Sequence, residues 1–420
     1  MELSGFAGVV ERASQSIGSD HPKGWMTAPL RDLFTFGGGL SASRDQLSVD
    51  GLAYLHYGDI HLSTKTFIDL DQEHHSIPKL NVPLSAVNSK HLLRDGDVVF
   101  VDASEDDDGI TKHVAITNCQ GRPFISGLHT IVAKPKGTDL DNGFKRYCFQ
   151  SKQIWQQFRY YAVGTKVTGI SKGNIGNVVL CYPPLPEQRA IATALSDVDD
   201  LLAGLDALIA KKQALKQGAM QQLLTGQQRL PGFKGEWVVR RLGDVAEVEM
   251  GHSPSSAYYN RSGSGIPLVQ GNADIENRRT FKRVWTTQIT RTCEKGDLIL
   301  TVRAPVGAVA IASQRSCLGR GVCCPKPKDC SKDFLYHALV YAEPAWQVLE
   351  QGSTFTAANS DQVKRFELAF APTLVEQTAI AEVLSDMDAE LAALETRRAK
   401  TALLKQGMMQ ELLTGRTRLV

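Results

Sequence analysis

Hydrophobic residues recur at helical spacing in two long stretches of the chain. They are separated by alternating steps of four and three residues, and the positions between them are largely polar or charged. The apolar positions are Ile191, Leu195, Val198, Leu202 and Leu205 in the first stretch and Ile380, Leu384, Met387, Leu391 and Leu394 in the second. This heptad pattern predicts two amphipathic helices, each with an apolar seam that needs a packing partner.

The two stretches are copies of one another. Residues 185–230 and 374–419 align without a gap and share about 27 of about 46 positions, which indicates a duplication. Pro183 and Pro184 mark the start of the first helix, while Gly226 and Gly415 mark the ends of the two helices. Each predicted helix has about 36–40 residues, or roughly 55–60 Å at 1.5 Å per residue.

A lone helix cannot bury such a seam, but the same chain carries a second, matching one. We therefore expect one copy to pack against the other as an intramolecular coiled coil. The alternative is that each helix packs separately on the domain next to it.

The segments before the helices have the pattern of two small α+β domains. The runs Val98–Val101 and Leu298–Val302 each follow a Gly-Asp turn and predict strands, whereas residues 154–161 and 334–341 have helical character. The expected domains are an N-terminal extension plus first domain at 1–184, a helical spacer at 185–230, a second domain at 231–373 and a second spacer at 374–420.

Charge separates the two domains although the whole chain is nearly neutral, with a formal net charge of +2. Neutrality excludes a polycation that coats nucleic acid indiscriminately. Residues 231–373 are mildly basic and place several arginines around Trp285, whereas residues 1–184 hold about eight of the ten histidines. Arginine mixed with aromatic residues suits a nucleic-acid surface, and a solvated basic face is the competing interpretation.

Metal binding is the less favoured interpretation of two local clusters. Cys317, Cys323, Cys324 and Cys330 lack the paired Cys-x-x-Cys spacing of a zinc site, so buried thiols are expected. The acidic stretch Glu105–Asp108 has the composition of a solvated loop, although clustered carboxylates also bind Ca²⁺ and Mg²⁺. The sequence thus predicts no metal site.

Familiar catalytic motifs are absent from the sequence. It contains no Gly-Lys dipeptide for a P-loop, no His-Glu-x-x-His, no Gly-x-Gly-x-x-Gly, and no Asn-Pro-Pro-aromatic cluster typical of amino-methyltransferases. It also shows no secretory signal and no apolar run of about 18 residues that could span a membrane. We predict a cytoplasmic protein without catalytic residues of its own.

The order of domain, helix, domain, helix resembles the specificity subunits of Type I restriction–modification systems. The likeness extends from about Trp25 to Val420, although the second helix start lacks the doubled proline. The motifs that carry it are Pro183-Pro184-Leu185-Pro186-Glu187-Gln188, Leu223-Leu224-Thr225-Gly226 and their second copies, together with Gly251-His252-Ser253-Pro254-Ser255, Tyr258-Tyr259 and Gly296-Asp297-Leu298.

The resemblance implies a non-catalytic, sequence-specific DNA-binding protein with two target-recognition domains of mixed α/β structure. Each domain would recognise one half of a bipartite, asymmetric site in double-stranded DNA, and the helices would pack antiparallel with pseudo-twofold symmetry. Two copies of the methyltransferase (modification) subunit would dock on the chain, and restriction/translocase subunits would join outside. S-adenosylmethionine and ATP would belong to those partners, with no cofactor in this chain.

The same resemblance suggests which residues contact DNA. In the second domain they are Ser253, Ser255, Tyr258, Arg279, Arg303 and Arg320, and in the first domain, by matching loops, Ser41, Ser43, His61, Lys112, His113 and Lys172. Structural roles are the alternative for each of these residues.

Three other functions compete with this interpretation. The chain could be the specificity subunit of a related system that cuts on both sides of its split site, which partner identity would reveal. It could be a coiled-coil adaptor that never contacts DNA, which a salt-dependent binding assay would reveal. It could be a stand-alone nuclease or methyltransferase, which assays of the purified chain would reveal.

Overall fold

The structure is a computed structural model of the chain. No helix within the described ranges is long and apolar enough to cross a membrane. The N-terminal extension before Pro22 and the acidic stretch Glu105–Asp108 lie outside the described residues. The described residues are 22–419 apart from 64, 105–108, 110, 165–167 and 347–356.

The chain divides into two compact units, and each contains parts of both repeated stretches. The first unit combines the residues up to Gly204 with those from Arg398 onward, and the second unit is Leu205–Arg397. Both long helices are present as expected, at Leu185–Leu224 and Leu374–Leu412. The glycines after them, Gly226 and Gly415, have positive φ values of 73° and 68°, which a residue without Cβ adopts most easily.

The first unit is a mixed α/β domain built on two main sheets. A five-stranded sheet has the order β2-β11-β7-β9-β5 and a four-stranded sheet the order β10-β4-β6-β3, while β1 pairs with β13 and β8 with β12. The strands are β1 Met26–Pro29, β2 Phe34–Gly38, β3 Leu47–Ser48, β4 Leu52–Leu55, β5 Phe67–Asp69, β6 Lys79–Leu80, β7 Val98–Val101, β8 Ala103–Ser104, β9 His113–Thr117, β10 Phe124–Ser126, β11 Thr130–Pro135, β12 Thr168–Gly169 and β13 Val179–Tyr182. The shorter helices are Leu30–Leu33, Tyr57–Leu62, Leu70–Glu73, Lys152–Tyr161 and Lys172–Gly176.

The second unit has the same mixed architecture. A six-stranded sheet has the order β15-β25-β22-β23-β19-β18 and a five-stranded sheet the order β16-β20-β17-β24-β21, while β14 pairs with β26. The strands are β14 Val238–Arg241, β15 Ala246–Met250, β16 Tyr259–Asn260, β17 Ile266–Val269, β18 Ile275–Glu276, β19 Arg279–Thr280, β20 Trp285–Thr286, β21 Thr292–Cys293, β22 Leu298–Thr301, β23 Val309–Ile311, β24 Ser316–Leu318, β25 Val322–Pro327 and β26 Glu367–Phe370. The shorter helices are Leu242–Val245, Lys332–Tyr341 and Ser360–Arg365.

The strands expected after the Gly-Asp turns lie at the centre of the two units. All four side chains of β7 and all four of β22 are buried, which is why these positions are continuous apolar runs rather than alternating ones. The helices expected near 154–161 and 334–341 are present at Lys152–Tyr161 and Lys332–Tyr341, and each is capped by the serine before it.

The apolar seam of each long helix packs both on the adjacent domain and against the other long helix, which are the two arrangements that the sequence allowed. In the first unit, Ile191 and Leu195 join the core of the adjacent domain, and Leu412 and Leu413 from the end of the second helix join the same core. In the second unit, Ile380 and Leu384 occupy the equivalent positions beside Met220, Leu223 and Leu224. In each unit, the first turns of one long helix therefore pack both on the adjacent domain and against the last turns of the other long helix.

Ion pairs between the two copies run in opposite directions along the helices. In the first unit Glu187 pairs with Arg418 and Asp199 with Lys405. In the second unit Glu376 pairs with Arg229, and Asp388 and Glu390 pair with Lys216 and Lys212. The expected mixed α/β fold with antiparallel, mutually packed helices is therefore confirmed.

The Glu187–Arg418 and Glu376–Arg229 pairs occupy equivalent positions of the repeat, and we call them the two clasps. In each clasp the glutamate is fully buried and accepts two hydrogen bonds from the guanidinium group. A buried carboxylate needs such compensation because leaving it unpaired costs several kcal/mol, or about 3–5 by the usual measure. The two clasps explain why the glutamate and the terminal arginine recur in both copies.

Candidate nucleic-acid interface

A pair of glycines brings two loops together at the edge of the second unit. A Cβ atom on Gly251, where β15 ends, would lie 2.1 Å from the carbonyl oxygen of Gly319. The amide of His252 donates to Leu318 O at 2.8 Å, so the two backbones run side by side. Only glycine permits this approach, which positions the loop 252–258 beside the loop 319–321.

Side chains then fix the shape of these loops. Ser253 Oγ accepts a hydrogen bond from the Arg320 amide at 3.0 Å, and the Ser255 amide donates to Gln288 Oε1 at 2.7 Å. The hydroxyl of Tyr259 donates to Pro254 O at 3.0 Å and accepts from Gln270 Nε2 at 2.9 Å. The ring of Tyr258 is left half exposed.

Five of the six residues predicted to contact DNA in this unit lie on or beside these loops. Arg303 follows Val302, whose amide donates to Gly321 O at 2.9 Å, so Arg303 lies next to Arg320. Both arginines are exposed. We name this set the second loop cluster; it comprises Ser253, Ser255, Tyr258, Arg303 and Arg320.

Arg279 lies apart from the second loop cluster. It is on the β18–β19 hairpin and lines a cavity of about 840 Å³ together with residues 385–395 of the second long helix. Neighbouring arginines are engaged with carboxylates: Arg278 donates to Glu343 at 2.8 Å and Arg283 Nε to Asp274 at 2.8 Å. For these two the structural interpretation holds, and the basic composition around Trp285 overstated the free positive charge.

The first unit has the same loop arrangement. A Cβ on Gly39, at the end of β2, would lie 1.6 Å from Gly127 O, and the Leu40 amide donates to Ser126 O at 2.7 Å. Ser41 and Ser43 therefore hold the positions that Ser253 and Ser255 hold in the second unit, as the matching of loops suggested. Both are exposed, and the Ser43 amide donates to Gln46 Oε1 at 2.9 Å.

His61, Lys112 and Lys172 lie at the surface in two places. Lys112 Nζ donates to the carbonyl oxygen of His61 at 2.5 Å, so these two residues are neighbours. Lys172 is exposed, and its ammonium group lies over Gly38, where a Cβ would be 2.8 Å from it, close to the loop that carries Ser41.

His113 is a correction to the predicted set. Its side chain is buried, with ring centroids 5.3 Å from both Phe100 and Phe149, and burial lowers the pKa of the imidazole to about 4. The first four residues of β9 are all buried, so both faces of the strand are covered, and His113 lies on the face with the aromatic residues. It therefore packs the core rather than facing DNA.

Sequence reasoning missed a group of histidines and aromatic residues beside Ser41 and Ser43, in which His129 is exposed and His56 is buried. Arg44 donates to Asp59 at 3.0 Å and lies 3.3 Å from His56 Nδ1, and Tyr57 contacts His129 edge-on at 5.4 Å. His129 Nδ1 is 3.3 Å from Asp102 Oδ1. The concentration of histidines in residues 1–184 was the signal, but they are distant in sequence and gave no motif.

The cysteines of the candidate zinc cluster are spread over two sheets and the segment after β25: Cys317 is on β24, Cys323 and Cys324 are on β25, and Cys330 lies in no strand. Adjacent Cys323 and Cys324 on β25 point to opposite sides and join two separate hydrophobic cores. Burial raises the pKa of the Cys323 thiol to about 12, so it stays protonated. No group of three or more potential metal ligands occurs within the described ranges.

The chain matches the family model of the type I restriction modification DNA specificity domain over residues 22–216 and 234–404, and it belongs to that family. It is 28% identical over 349 residues to a putative type I restriction enzyme MjaX specificity subunit of Methanocaldococcus jannaschii, covering 79% of this chain and 80% of the relative. The MjaVIII specificity subunit of the same organism is 26% identical over 310 residues, which cover 65% of this chain and 70% of that relative.

Solved structures show the same fold. A chain from a study of complex assembly and conformational transition of the type I R-M system superposes with a TM-score of 0.61 at 22% identity, covering 94% of this chain and 99% of that one. The S subunit of the type I restriction-modification system from M. genitalium gives a TM-score of 0.60 at 14% identity, covering 94% and 97%.

Proposed function

We propose that this chain is the sequence-recognition subunit of a Type I restriction–modification complex and performs no catalysis itself. The observation that carries the proposal is the pair of glycine-linked loops, which recurs at equivalent positions in both units and carries serines together with exposed arginines in one unit and the exposed His129 in the other. Arginine and serine are side chains that contact base edges and phosphates. Each unit would then read one half of a split DNA site.

The second loop cluster suits direct readout of the major groove. Arg303 and Arg320 are exposed, and a guanidinium group can donate two parallel hydrogen bonds to the O6 and N7 atoms of guanine. Ser253 supports this role indirectly, since its hydroxyl already accepts from the Arg320 backbone and so fixes where that side chain begins. In the first unit Ser41, Ser43, His61, Lys112 and Lys172 would serve the other half-site.

The partners and the spacer follow from the same proposal. Methyltransferase subunits, in two copies, would supply S-adenosylmethionine chemistry in the cytoplasm, and restriction/translocase subunits would supply ATP hydrolysis. The long helices, of 40 and 39 residues, are each roughly 60 Å long at 1.5 Å per residue. Rigid helices of that length would convert helix length into a fixed distance between half-sites.

Domain exchange tests the proposal. Replacing residues 231–373 with the corresponding domain of another family member should change the methylated sequence in one half-site and leave the other half-site and the spacer unchanged. Single-molecule sequencing of host DNA reads this out directly. A matched exchange of residues 22–184 should change the opposite half. Unchanged methylation after both exchanges would refute the proposal.

The role of the helices has its own test. Inserting four residues near Ala210 should alter the spacer while both half-site sequences persist. The control inserts four residues into the exposed turn at Gly232, outside the helix, and should leave the spacer as it was. New half-site bases after the insertion near Ala210 would contradict the role of the helices as a spacer.

A further inference from the structure

A single buried tyrosine hydroxyl joins the two loops of the first unit. Tyr54 lies on β4 with its side chain fully buried. Its hydroxyl accepts hydrogen bonds from the amides of Ala42 at 3.1 Å and Leu128 at 2.9 Å, and donates to Leu40 O at 2.7 Å. One oxygen atom therefore bonds both loops that the Gly39–Gly127 approach brings together.

These bonds hold the backbone on either side of Ser41, at Leu40 and at Ala42. Ser41 and Ser43 are exposed and flank Ala42, which is buried. The Leu128 amide belongs to the turn between β10 and β11, opposite the same loop. Burial raises the pKa of the Tyr54 hydroxyl, so it stays protonated and keeps its role as donor to Leu40.

In the second unit, different residues hold the corresponding loop. Strand pairing places Leu268 on β17 where Tyr54 lies on β4, because Leu268 opposes Cys317 on β24 as Tyr54 opposes Ile125 on β10. Leucine has no hydroxyl, and the loop is fixed instead by the Tyr259 hydroxyl and by Ser253 Oγ. The side-chain hydrogen bonds that hold the loop therefore come from different residues in the two units.

We propose that Tyr54, through its hydroxyl, positions the loop with which the first unit reads its half-site. This proposal rests on the proposed function, since positioning the loop matters for recognition only if Ser41 and Ser43 face DNA. Removing the hydroxyl leaves two backbone amides of the loops without this acceptor while the ring still fills the core. The loop then samples other geometries, and discrimination at one half-site falls.

The test uses the full chain in complex with its methyltransferase subunits. Tyr54→Phe is compared with wild type on duplexes that carry single base changes in either half-site. We expect the ratio of methylation rates on correct and altered duplexes to fall about tenfold for changes in the first unit's half-site. The ratio should stay within about twofold for changes in the other half.

Two variants keep this test decisive. Tyr147→Phe removes another buried hydroxyl of the same unit, one that donates to Asp199 Oδ2 at 2.7 Å away from the loops, so it should lower stability without altering either ratio. Tyr259→Phe should produce the opposite pattern, with loss confined to the second unit's half-site.

The outcomes separate the two proposals. Equal losses at both half-sites, or the same losses with Tyr147→Phe, would mean that Tyr54 supports only general stability and would overturn the positioning role. Unchanged ratios in Tyr54→Phe would also overturn it. Failure of the proposed function itself looks different: the wild-type complex would then show no dependence on either half-site.

Discussion

The two units agree where the repeated helices meet their domains and differ where the loops reach the surface. Both units contain a clasp and a second ion pair at equivalent positions of the repeat. At the loops, however, the first unit carries the exposed Ser41 and Ser43 with His129, and the second carries the exposed Ser255 with two arginines. The comparison shows which residues serve the shared frame and which are free to vary.

The glycine pairs belong to the frame even though they lie at the loops. Gly39 with Gly127 and Gly251 with Gly319 recur because the close approach of two backbones leaves no room for a Cβ. The tyrosine hydroxyls that bond to these loops, Tyr54 in one unit and Tyr259 in the other, come from different strands. One loop geometry is therefore reached by two independent sets of side chains.

The largest expected effect is the loss of stability when one clasp is broken. In Arg229→Ala, the fully buried carboxylate of Glu376 loses its guanidinium partner, so we expect about 3–5 kcal/mol less stability of the second unit. Chemical denaturation followed by hydrogen exchange in residues 205–397 measures this loss.

The matched variant is Arg418→Ala, which should weaken the first unit instead and by a smaller amount. Glu187 keeps a hydrogen bond from Trp25 Nε1 at 3.2 Å, whereas Trp237 Nε1 is buried with no hydrogen-bond partner among the described residues. Equal losses in the two variants, or loss in the same unit, would contradict this expected difference between the clasps.

Acid should destabilise both units in the same range of pH. His113 in the first unit and His337 in the second each have a pKa lowered to about 4, chiefly by burial. The unfolded chain binds a proton below about pH 6.5 while the folded chain does not, so stability is lost as pH falls from about 6.5 to about 4. We expect a loss of about 2 kcal/mol per histidine at pH 5, measured by urea unfolding at pH 7 and pH 5.

Replacing one histidine separates the units in the acid experiment. His113→Phe, which suits an aromatic neighbourhood, should flatten the pH dependence of the first unit and leave that of the second unchanged. An exposed histidine such as His75 provides the control, because His75→Phe should change neither slope. A slope unaffected by His113→Phe would show that other groups cause the acid loss.

The loop geometry should respond to a single methyl group. Gly251→Ala must push the Gly319 backbone away, and we expect about tenfold weaker specific DNA binding by the assembled complex, or about 1.4 kcal/mol. Gly271→Ala, where a Cβ would meet no atom within 4 Å and φ is likewise outside the left-handed region, controls for the added methyl group alone. Equal effects of the two substitutions would remove the close approach as the cause.

The smallest effect should come from the second ion pair of each unit. The carboxylates of Asp199 and Asp388 are partly exposed, so Lys405→Ala and Lys216→Ala should each cost about 0.5 kcal/mol. Thermal unfolding of the two variants measures the difference from wild type. A cost comparable to that of the broken clasp would show that these pairs are more desolvated than their exposure indicates.

The helices could be predicted from the sequence because a duplicated heptad pattern is strong over 40 residues. What the pattern could not decide was the partner of each seam. Ile191 and Ile380 satisfy heptad spacing equally well against a helix or against a domain core, and in the structure they face both. Spacing records that a face is apolar but not which apolar surface covers it.

Single candidate residues were less predictable than the loops that carry them. The serines of the second unit were proposed because they lie in a compact motif, and their counterparts in the first unit were proposed by analogy. His113 was misjudged because a polar residue suggests an exposed position, whereas β9 is covered on both faces and its first four residues are all buried. Tyr54 gave no signal, since its three partners are backbone atoms distant in sequence.

The first unit includes the last residues of the chain, and this has a consequence for biosynthesis. The second unit, Leu205–Arg397, is continuous and is complete as soon as those residues have left the ribosome. The first unit waits for residues from Arg398 onward, including Arg418, although its own domain is translated earlier. Until then Glu187 and the seam around Ile191 lack their covering turns, so the half translated first is the half that matures last.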